Sequence, residues 1–526
     1  MPDAATDERF RHPSFWTGRW ARALVVALVL LGALRAAWGW SVDRKVRAQW
    51  DATRRRGEPT TASEVTLPSP PAGQDAWPVI VRAGGAVVDG ASPRLSNLEY
   101  TAYPPYGPKW RTLAEKSEAA HGQVFALARK ARAFPLARLF DTVDLSLDWR
   151  DPGYYRARGV VQVLVDGAQI AETKGNHVEA VERLRDAMHV ARALRQDPFM
   201  GGQYSTGGVE EIVCHGAFVV GPGLDLRAAG SNGPATRAAV HGLIADLLDQ
   251  QPAVDAMAAA LATDRLFATT LTREGGGPRR VLAPMREGQL LRANEMFASA
   301  IAAVRQPDWP AARTALVPHP RRGWTSDEHD GLTALYAGRD ADALARALPQ
   351  HDYWFLFAYP SLERVLEHHY RALAERRAAA AALAAQLFRA DHGRCPRSLD
   401  ELVPTYLPAV PRDPFRTDGG PLGYFVLPRS LPDGGDRPML SYEYSTVDSK
   451  YAPDWREPFY DRIHGKAADG TYTSPYVRQY RDLARFRWPG VPIREIDGNA
   501  PAPADEPSPE TPDPQPDKPG RPRERE

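Results

Sequence analysis

A run of apolar residues close to the N-terminus is the strongest feature of the hydropathy pattern. It begins at residue 23 and continues past Arg35 to Trp38 and Trp40. About 18 residues at 1.5 Å each approach the thickness of the bilayer hydrocarbon, an arginine near the end can snorkel, and tryptophans suit the interface. The pattern predicts a transmembrane helix over 23–40 after an N-terminal tail over 1–22. A cleaved signal peptide is the alternative, because a short apolar core behind arginines fits that template too.

The pattern turns polar directly after this span. Residues 41–57 can continue as a juxtamembrane helix up to Gly57, serving as a stalk or as a contact with lipid headgroups. Residues 58–110 are rich in Pro, Gly and Tyr and have no sustained period. They predict an irregular linker with one short strand at 77–82.

Helical periodicity then dominates, and it predicts an α-helical domain over 111–360. Val181, Leu184, Met188 and Ala191 recur at intervals of three and four, which places them on one helix face. The preceding residues supply an antiparallel partner helix that ends at a Gly-Asn turn. Further helices are predicted over residues 208–219, 234–250, 252–272, 284–305, 310–316 and 326–347.

Residues 361–488 are predicted to form a long helix followed by a small α+β module. Ser361 is placed to cap a helix of about 30 residues that ends at Gly393. Ser398 and Glu401 have the spacing of a capping box on a short helix. The sequences "PLGYFVLP" and "MLSYEYSTV" alternate apolar and polar residues with many aromatics, which predicts a β-hairpin that packs on the long helix.

The Pro-rich residues 489–526 are predicted to be a disordered tail. The chain as a whole is therefore predicted to be mainly α, with an N-terminal transmembrane helix, an irregular α-helical domain containing helix hairpins, the small α+β module and this tail.

Composition excludes few function classes. The 66 basic and 65 acidic residues nearly balance, so no overall field favours nucleic acid, and we expect no nucleic-acid partner. Two cysteines, Cys214 and Cys395, are too few for a disulfide scaffold and lack metal-knuckle spacing. They could pair, or both could be buried thiols.

Three clusters carry residue types used in catalysis. In "ERVLEHHY", Glu363, Glu367, His368 and His369 predict a solvated polar helix face, because no second Glu-x-x-His completes a carboxylate-bridged metal site. "EEIVCHGA" predicts a buried thiol at Cys214. "SDEHDG", at 326–331, predicts a helix start where acids favour the dipole. No common catalytic motif is present, so the sequence predicts no catalytic, cofactor-binding or metal-binding residues and favours a protein that is not an enzyme.

Residues 380–445 resemble the C-terminal half of the major pseudopilins of type II secretion systems. The resemblance rests on Gly393, Pro396, Ser398, Leu399, Leu402, Val403, Tyr406, Leu407, Pro411, Asp413, Pro414, Phe415 and Tyr424. It implies a long helix, a short helix, a proline-fixed segment and a small antiparallel sheet. The chain departs from that family at its start, where Gly18-Arg19 replaces the cleavage point and Ala23 replaces the family's glutamate. As a whole it resembles a group of bacterial membrane-anchored helical proteins that carry this segment, and the resemblance implies no activity.

These patterns lead to a functional expectation. We expect a non-catalytic binding or scaffold protein of the bacterial envelope, anchored through 23–40 as a single-pass inner-membrane protein and engaging protein partners. The resemblance places the bulk of the chain outside the cytoplasm. Two alternatives stay open: an enzyme whose site is assembled from scattered Glu, Asp and His residues, and a component related to secretion-system pseudopilins.

Overall fold

The computed structural model describes residues 19–92, 108–143, 153–227, 233–274, 283–317, 362–427, 437–444 and 477–482. These residues are mostly α-helical and include one small antiparallel sheet, which confirms the mainly-α prediction. Ser361, the helix predicted over 326–347 and the tail predicted over 489–526 lie outside them.

Most of the α-helices pack around a large apolar core, and α1 contributes to a separate small cluster. They are α1 (Arg19–Arg55), α2 (Ala76–Gly85), α3 (Pro108–Ala120), α4 (Gly122–Ala131), α5 (Tyr154–Thr173), α6 (His177–Leu194), α7 (Met200–Val220), α8 (Gly233–Leu248), α9 (Gln251–Glu274), α10 (Ala283–Val304), α11 (Trp309–Ala315) and α12 (Leu362–His392). Short 3₁₀ turns lie at Ala62–Glu64, Gly221–Gly223 and Leu399–Leu402.

Helix α1 is one continuous element of 37 residues, about 55 Å long at 1.5 Å per residue. An 18-residue window within it has a mean hydropathy of 1.9 and no buried residue, so α1 is long and apolar enough to cross a membrane. The predicted continuation as a polar helix is confirmed, because the chain leaves the helix only near Gly57, which has φ 71°.

The second half of α1 packs against the helical domain. Val42, Val46 and Trp50 form a buried cluster with Leu266 of α9, and α1 also contacts α10. Beside this cluster Arg265 is almost fully buried and donates to Glu58 at 2.6 Å. The juxtamembrane residues, predicted to serve as a stalk or as a contact with lipid headgroups, therefore pack on the folded domain on one side.

The strand predicted at 77–82 is also wrong, because these residues belong to α2. Asp75 caps the helix by accepting the Trp77 N–H at 2.9 Å, and Ala76, Trp77, Ile80 and Ala83 are buried. A short apolar run is ambiguous between strand and helix, and here the packing of its apolar face on α4 and α5 decides for the helix that Asp75 caps.

Helices α5 and α6 form the predicted hairpin. Gly175 has φ 78°, and the Asn176 N–H donates to the Ala171 carbonyl at 2.8 Å. Only glycine adopts that left-handed conformation at little cost, so the turn is fixed by the sequence. The apolar positions used for the prediction are buried in the core.

Helix α12 is the central element, packed against α7, α8, α10 and α11. Its alanine-rich middle, 378–385, is buried throughout, since small side chains let neighbouring helices approach closely. The helix ends before Gly393, which has φ 67°, as predicted.

The segment after α12 contains strands β1 (Gly423–Leu427), β2 (Arg437–Tyr444) and β3 (Val477–Asp482), antiparallel in the order β1-β2-β3. The β1–β2 hairpin is confirmed, with Tyr424 opposite Leu440, whereas β3 was not predicted. The sheet packs on α12 through β2, where the Tyr442 hydroxyl donates to Glu375 at 2.8 Å.

The prolines between α12 and the sheet fold an apolar segment back onto the core. The buried side chains of this segment are Leu399, Leu402, Tyr406, Leu407 and Phe415. One predicted detail is wrong: the Ser398 side chain makes no cap hydrogen bond, and the Glu401 carboxylate accepts from Arg394 at 2.8 Å instead. The exposed Arg394 competes successfully for the carboxylate that a capping box needs.

Candidate functional site

A cavity of about 470 Å³ lies where α2, α4, α6 and α8 meet. We call it the arginine cavity. Its polar side chains come from α6 and the residues directly after it, from the end of α4 and from α8, and the loop 132–137 forms one rim. The lining residues are Ala76, Arg132, Ala133, Pro135, Leu136, Ala137, Arg185, His189, Arg192, Ala193, Gln196 and Asp246.

Helix α6 supplies most of the polar lining. Arg185, His189, Arg192 and Gln196 follow at intervals of four, three and four, so they share one side of the helix, next to its buried apolar stripe. The sequence analysis used the apolar stripe and missed this polar one. Arginine and histidine repeating at helical spacing beside a core face was the signal that could have revealed it.

Ion pairs fix the two arginines of α6. Arg185 donates to Asp246 at 2.9 Å and to Glu182 at 3.1 Å. Arg192 donates to the Asp246 carboxylate at 3.3 Å and to its carbonyl at 2.6 Å. Asp246 therefore bridges both arginines from α8. Charge-assisted bonds of this kind hold long side chains in one geometry.

Arg132 lies at the end of α4, and its guanidinium pairs with two acids of α6. Its guanidinium binds the Glu182 carboxylate and lies 3.2 Å from Asp186. Asp186 is almost fully buried, and burial raises its pKa to about 6 despite the neighbouring Arg129 and Arg132. The side chains of Arg132, Arg185 and Arg192 are 23, 28 and 31% exposed, so the cavity is open to solvent.

His189 is a neutral member of the lining. Burial, and then the charge of Arg192, lower its pKa to about 4. Its Nε2 is buried and has no hydrogen-bond partner among the described residues. The imidazole is thus uncharged near neutral pH, and the positive charge of the cavity comes from the arginines.

The rim loop is tied to the helices on both sides. Gln196 accepts the Ala137 N–H at 3.0 Å, Asp75 accepts the Arg138 N–H at 3.0 Å, and the Ala76 N–H donates to the Leu136 carbonyl at 2.9 Å. These bonds join the loop to the end of α6 and the start of α2. They give the cavity a fixed shape.

A second polar centre is fully buried. Glu210 of α7 accepts a two-point bond from Arg195 at 3.0 and 2.7 Å and lies 3.6 Å from Arg376 of α12. Burial opposes ionisation of Glu210, but the two arginines outweigh it and lower its pKa to about 2. Arg376 also donates to the Leu247 and Asp249 carbonyls, which satisfies the C-terminal end of α8. This centre connects four segments and has the character of a structural network.

Two carboxylates are buried at the start of α7. Asp264 accepts the Met200 N–H at 2.7 Å, and Asp197 accepts the Phe199 N–H at 2.8 Å. Burial raises the pKa of Asp264 to about 8, assisted by the charge of Asp197, and burial raises the pKa of Asp197 to about 7. Both therefore carry a proton over much of the range near neutrality.

The cluster "ERVLEHHY" does not form the solvated face that its sequence predicts. Glu367 and His369 are buried, Glu363 accepts from Arg313 at 2.8 Å, and His368 packs on Tyr204 with its ring nitrogen 3.1 Å from the Tyr204 carbonyl. Burial is the main cause that raises the pKa of Glu367 to about 7 and lowers those of both histidines to about 3. The prediction fails because α12 is packed on nearly all sides.

The cluster "EEIVCHGA" behaves as predicted at its cysteine. Cys214 is fully buried, burial raises the pKa of its thiol, and Glu211 is engaged by Arg371 at 2.6 Å. Cys214 and Cys395 are both free thiols, so they do not pair; Cys214 is buried, but Cys395 is only partly buried, so the expectation of two buried thiols holds for Cys214 alone. The "SDEHDG" cluster at 326–331 lies outside the described residues.

In the part of the chain that the structure describes, no group of three or more His, Cys, Asp or Glu side chains could hold a metal ion. Comparison of the chain with protein-family models, with curated proteins and with solved structures finds no match. The arginine cavity is therefore the feature on which a functional assignment can be built.

Proposed function

We propose that this protein is a membrane-tethered, non-catalytic binding protein whose helical domain takes a small molecule in the arginine cavity. The observation that carries the proposal is a cavity of about 470 Å³ whose polar walls are already held in place by ion pairs and by a tied rim loop. Ligand sites are typically cavities of roughly 300–1,000 Å³ with a few fixed polar groups. Fixed groups also lower the entropic cost of binding.

The polar groups of the cavity are suited to binding. Asp246 is the one acid among its lining residues, and both of its carboxylate oxygens accept from arginines at 2.9 and 3.3 Å. His189 is neutral near pH 7, because burial lowers the pKa of its imidazole to about 4. A reaction needs a base within reach of a substrate proton, whereas recognition needs only fixed donors and acceptors. The lining offers mainly fixed donors.

The tether supports a role at a membrane. Helix α1 carries exposed apolar residues over its first half, and its second half is packed against α9 and α10. Because helix and domain form one continuous packed unit, the cavity would be kept close to the bilayer. Anchoring places a binding protein near ligands that arrive at or leave a membrane.

The proposal includes a location at the bacterial inner membrane with the bulk of the chain outside the cytoplasm. It is supported by the resemblance of 380–445 to pseudopilin heads, which lie on that side. The order of long helix, short helix and antiparallel strands over 362–444 fits the same resemblance. Protease treatment of intact spheroplasts should digest the domain, and full protection of everything beyond Trp50 would place it in the cytoplasm.

Thermal unfolding of the full-length protein in detergent tests the binding role. A panel of neutral, cationic and anionic small molecules is compared on the wild type, on Ala133→Trp, which fills the cavity from its exposed rim, and on Ala259→Trp at an exposed site of α9. We expect at least one compound to raise Tm in the wild type and in Ala259→Trp but not in Ala133→Trp. If no compound of any charge class gives that pattern, the small-molecule role is wrong and a scaffold role is favoured.

A further inference from the structure

We propose that the arginine cavity is a site for small organic oxyanions, which are molecules that carry carboxylate or phosphate groups. This inference rests on the proposed binding function and specifies the chemistry of the ligand. It is carried by the charge of the lining, by the arrangement of the ion pairs behind it and by the way α8 positions one arginine.

The charged side chains that line the cavity are three arginines and one aspartate. Glu182, Asp186 and Asp249 also bind these arginines, but none of the three is a lining residue. These three acids thus lie outside the lining, and the surface facing the cavity carries three arginines against one aspartate. A negatively charged ligand would be attracted to this positively charged surface.

Donor groups of the arginines are left over for a ligand. Among the described residues no acceptor binds Nη2 of Arg185, and none binds Nε of Arg132 or of Arg192. A guanidinium has five N–H donors in a planar fork that matches the oxygens of carboxylate and phosphate. The guanidinium groups are already held in place by their ion pairs. Aligning their remaining donors with an oxyanion would therefore cost little entropy.

Gly242 of α8 has a direct role in this arrangement. A Cβ atom at this position would lie 2.8 Å from Cζ and 3.0 Å from Nη1 of Arg185. The guanidinium therefore packs on the bare glycine backbone of α8, beside Asp246. An alanine there would push the flexible end of Arg185 away while its charge and the other lining residues stay unchanged, so Gly242 acts as a positioning residue.

The volume indicates an organic molecule. At about 30 Å³ for each water of the liquid, 470 Å³ corresponds to on the order of fifteen water molecules. A bare phosphate or carboxylate fills only a small part of that space. The cavity can hold an oxyanion together with a short carbon skeleton against Ala133, Leu136 and Ala193.

Isothermal titration of the full-length protein in neutral detergent, at low ionic strength, tests the assignment. The probes are inorganic phosphate, glycerol 3-phosphate and succinate, with uncharged succinamide as the matched control for succinate. Binding of the two phosphates without succinate would identify the phosphate source, and the opposite result the carboxylate source. We expect at least one anion to bind and succinamide not to bind.

Three variants locate the binding. Arg192→Gln and Gly242→Ala should each lower the affinity for the anion about tenfold or more. The first variant removes a charge, and the second displaces Arg185. Arg313→Gln, which removes an arginine of α11 that pairs with Glu363 outside the cavity, should leave the affinity unchanged. Far-UV circular dichroism and Tm establish that each variant is folded. Gly242→Ala keeps every ion-pairing side chain, so it tests the site even if Arg192→Gln fails to fold.

Each remaining outcome counts against the assignment. If no anion binds, if succinamide binds as tightly as succinate, or if both variants retain wild-type affinity, the oxyanion site is wrong. A neutral or cationic compound whose binding is abolished by Ala133→Trp would then leave the proposed binding function intact. Absence of any cavity-dependent ligand would refute both.

Discussion

Phe415 is the residue whose removal should most clearly test how the segment after α12 is attached to the core. Its ring is 2% exposed and stacks on Tyr442 of β2 with ring centroids 6.2 Å apart. Directly before it, the Pro414 carbonyl accepts the buried Trp309 N–H of α11 at 2.7 Å. Phe415 therefore lies where the proline-fixed segment, the sheet and α11 meet. Phe415→Ala should loosen all three together.

The expected magnitude follows from the buried area. A phenylalanine buries roughly 150–250 Å², which at about 25 cal/mol per Å² corresponds to about 4–6 kcal/mol as an upper bound. Alanine keeps part of this burial, whereas the empty space left by the ring adds a penalty. We expect Phe415→Ala to lower the free energy of unfolding by about 3–5 kcal/mol, the usual range for a buried phenylalanine.

Urea unfolding of the full-length protein in detergent, followed by tryptophan fluorescence, measures this change. The whole chain is required because α12 is buried against α7, α8 and α10 as well as against the segment. Tyr155→Ala, at a 69% exposed tyrosine, is the matched control and should stay within about 0.5 kcal/mol. Ser398→Ala should also stay within about 0.5 kcal/mol, because its side chain forms no cap. If Phe415→Ala behaves like these two, the ring does not anchor the segment.

Three further predictions concern the anchor and the buried charges. Deletion of residues 1–40 should release a folded soluble protein. Deletion of residues 1–57 should give a less stable protein, since it also removes the part of α1 that packs on α9 and α10. Glu210→Gln should cost about 3–5 kcal/mol in urea unfolding, because two buried arginines lose their counter-charge. Asp264→Asn should flatten the pH dependence of Tm between about pH 4 and pH 8. The folded-state pKa of Asp264, raised to about 8 from 3.8, makes wild-type stability fall as pH rises through this window.

Equal unfolding midpoints for the two truncated proteins would show that the packing of α1 contributes nothing. A change below about 1 kcal/mol for Glu210→Gln would mean that the arginines find water or other partners. Asp255→Asn, at an exposed site of α9, should leave the pH profile as in the wild type. If the Tm difference between the wild type and Asp264→Asn does not change between pH 4 and pH 8, or changes in the opposite sense, the sign given for Asp264 is wrong.

Local chemistry in the sequence was enough to predict several elements. The α5–α6 hairpin follows from an apolar stripe at helical spacing and from a glycine that adopts φ 78° at the turn. The end of α12 follows from Gly393, and the β1–β2 hairpin from alternating apolar and polar residues. The length and hydropathy of α1 likewise depend on composition alone. Such features depend on the chain within one or two turns of each residue.

Sequence reasoning failed where the answer depended on which surfaces meet. The residues predicted as a strand at 77–82 became α2 because the core beside α4 and α5 accepts their helical apolar face. The polar residues of α12 were expected in solvent, yet Glu367 and His369 are buried because neighbouring helices cover most of the circumference of α12. Periodicity shows that a helix has an apolar stripe, but it does not show how wide a surface the neighbours will cover.

The arginine cavity as an assembled site was decided by the tertiary structure. Its residues range from Ala76 to Asp246, and helical spacing alone places Arg185, His189 and Arg192 on one side of α6. That those side chains face Arg132 and Asp246 depends on how α4 and α8 pack against α6. The position of Arg185 depends on the absence of a side chain at Gly242, and the rim loop is held by Gln196 and Asp75. Contacts between residues far apart in the chain are set by packing, and no local pattern encodes them.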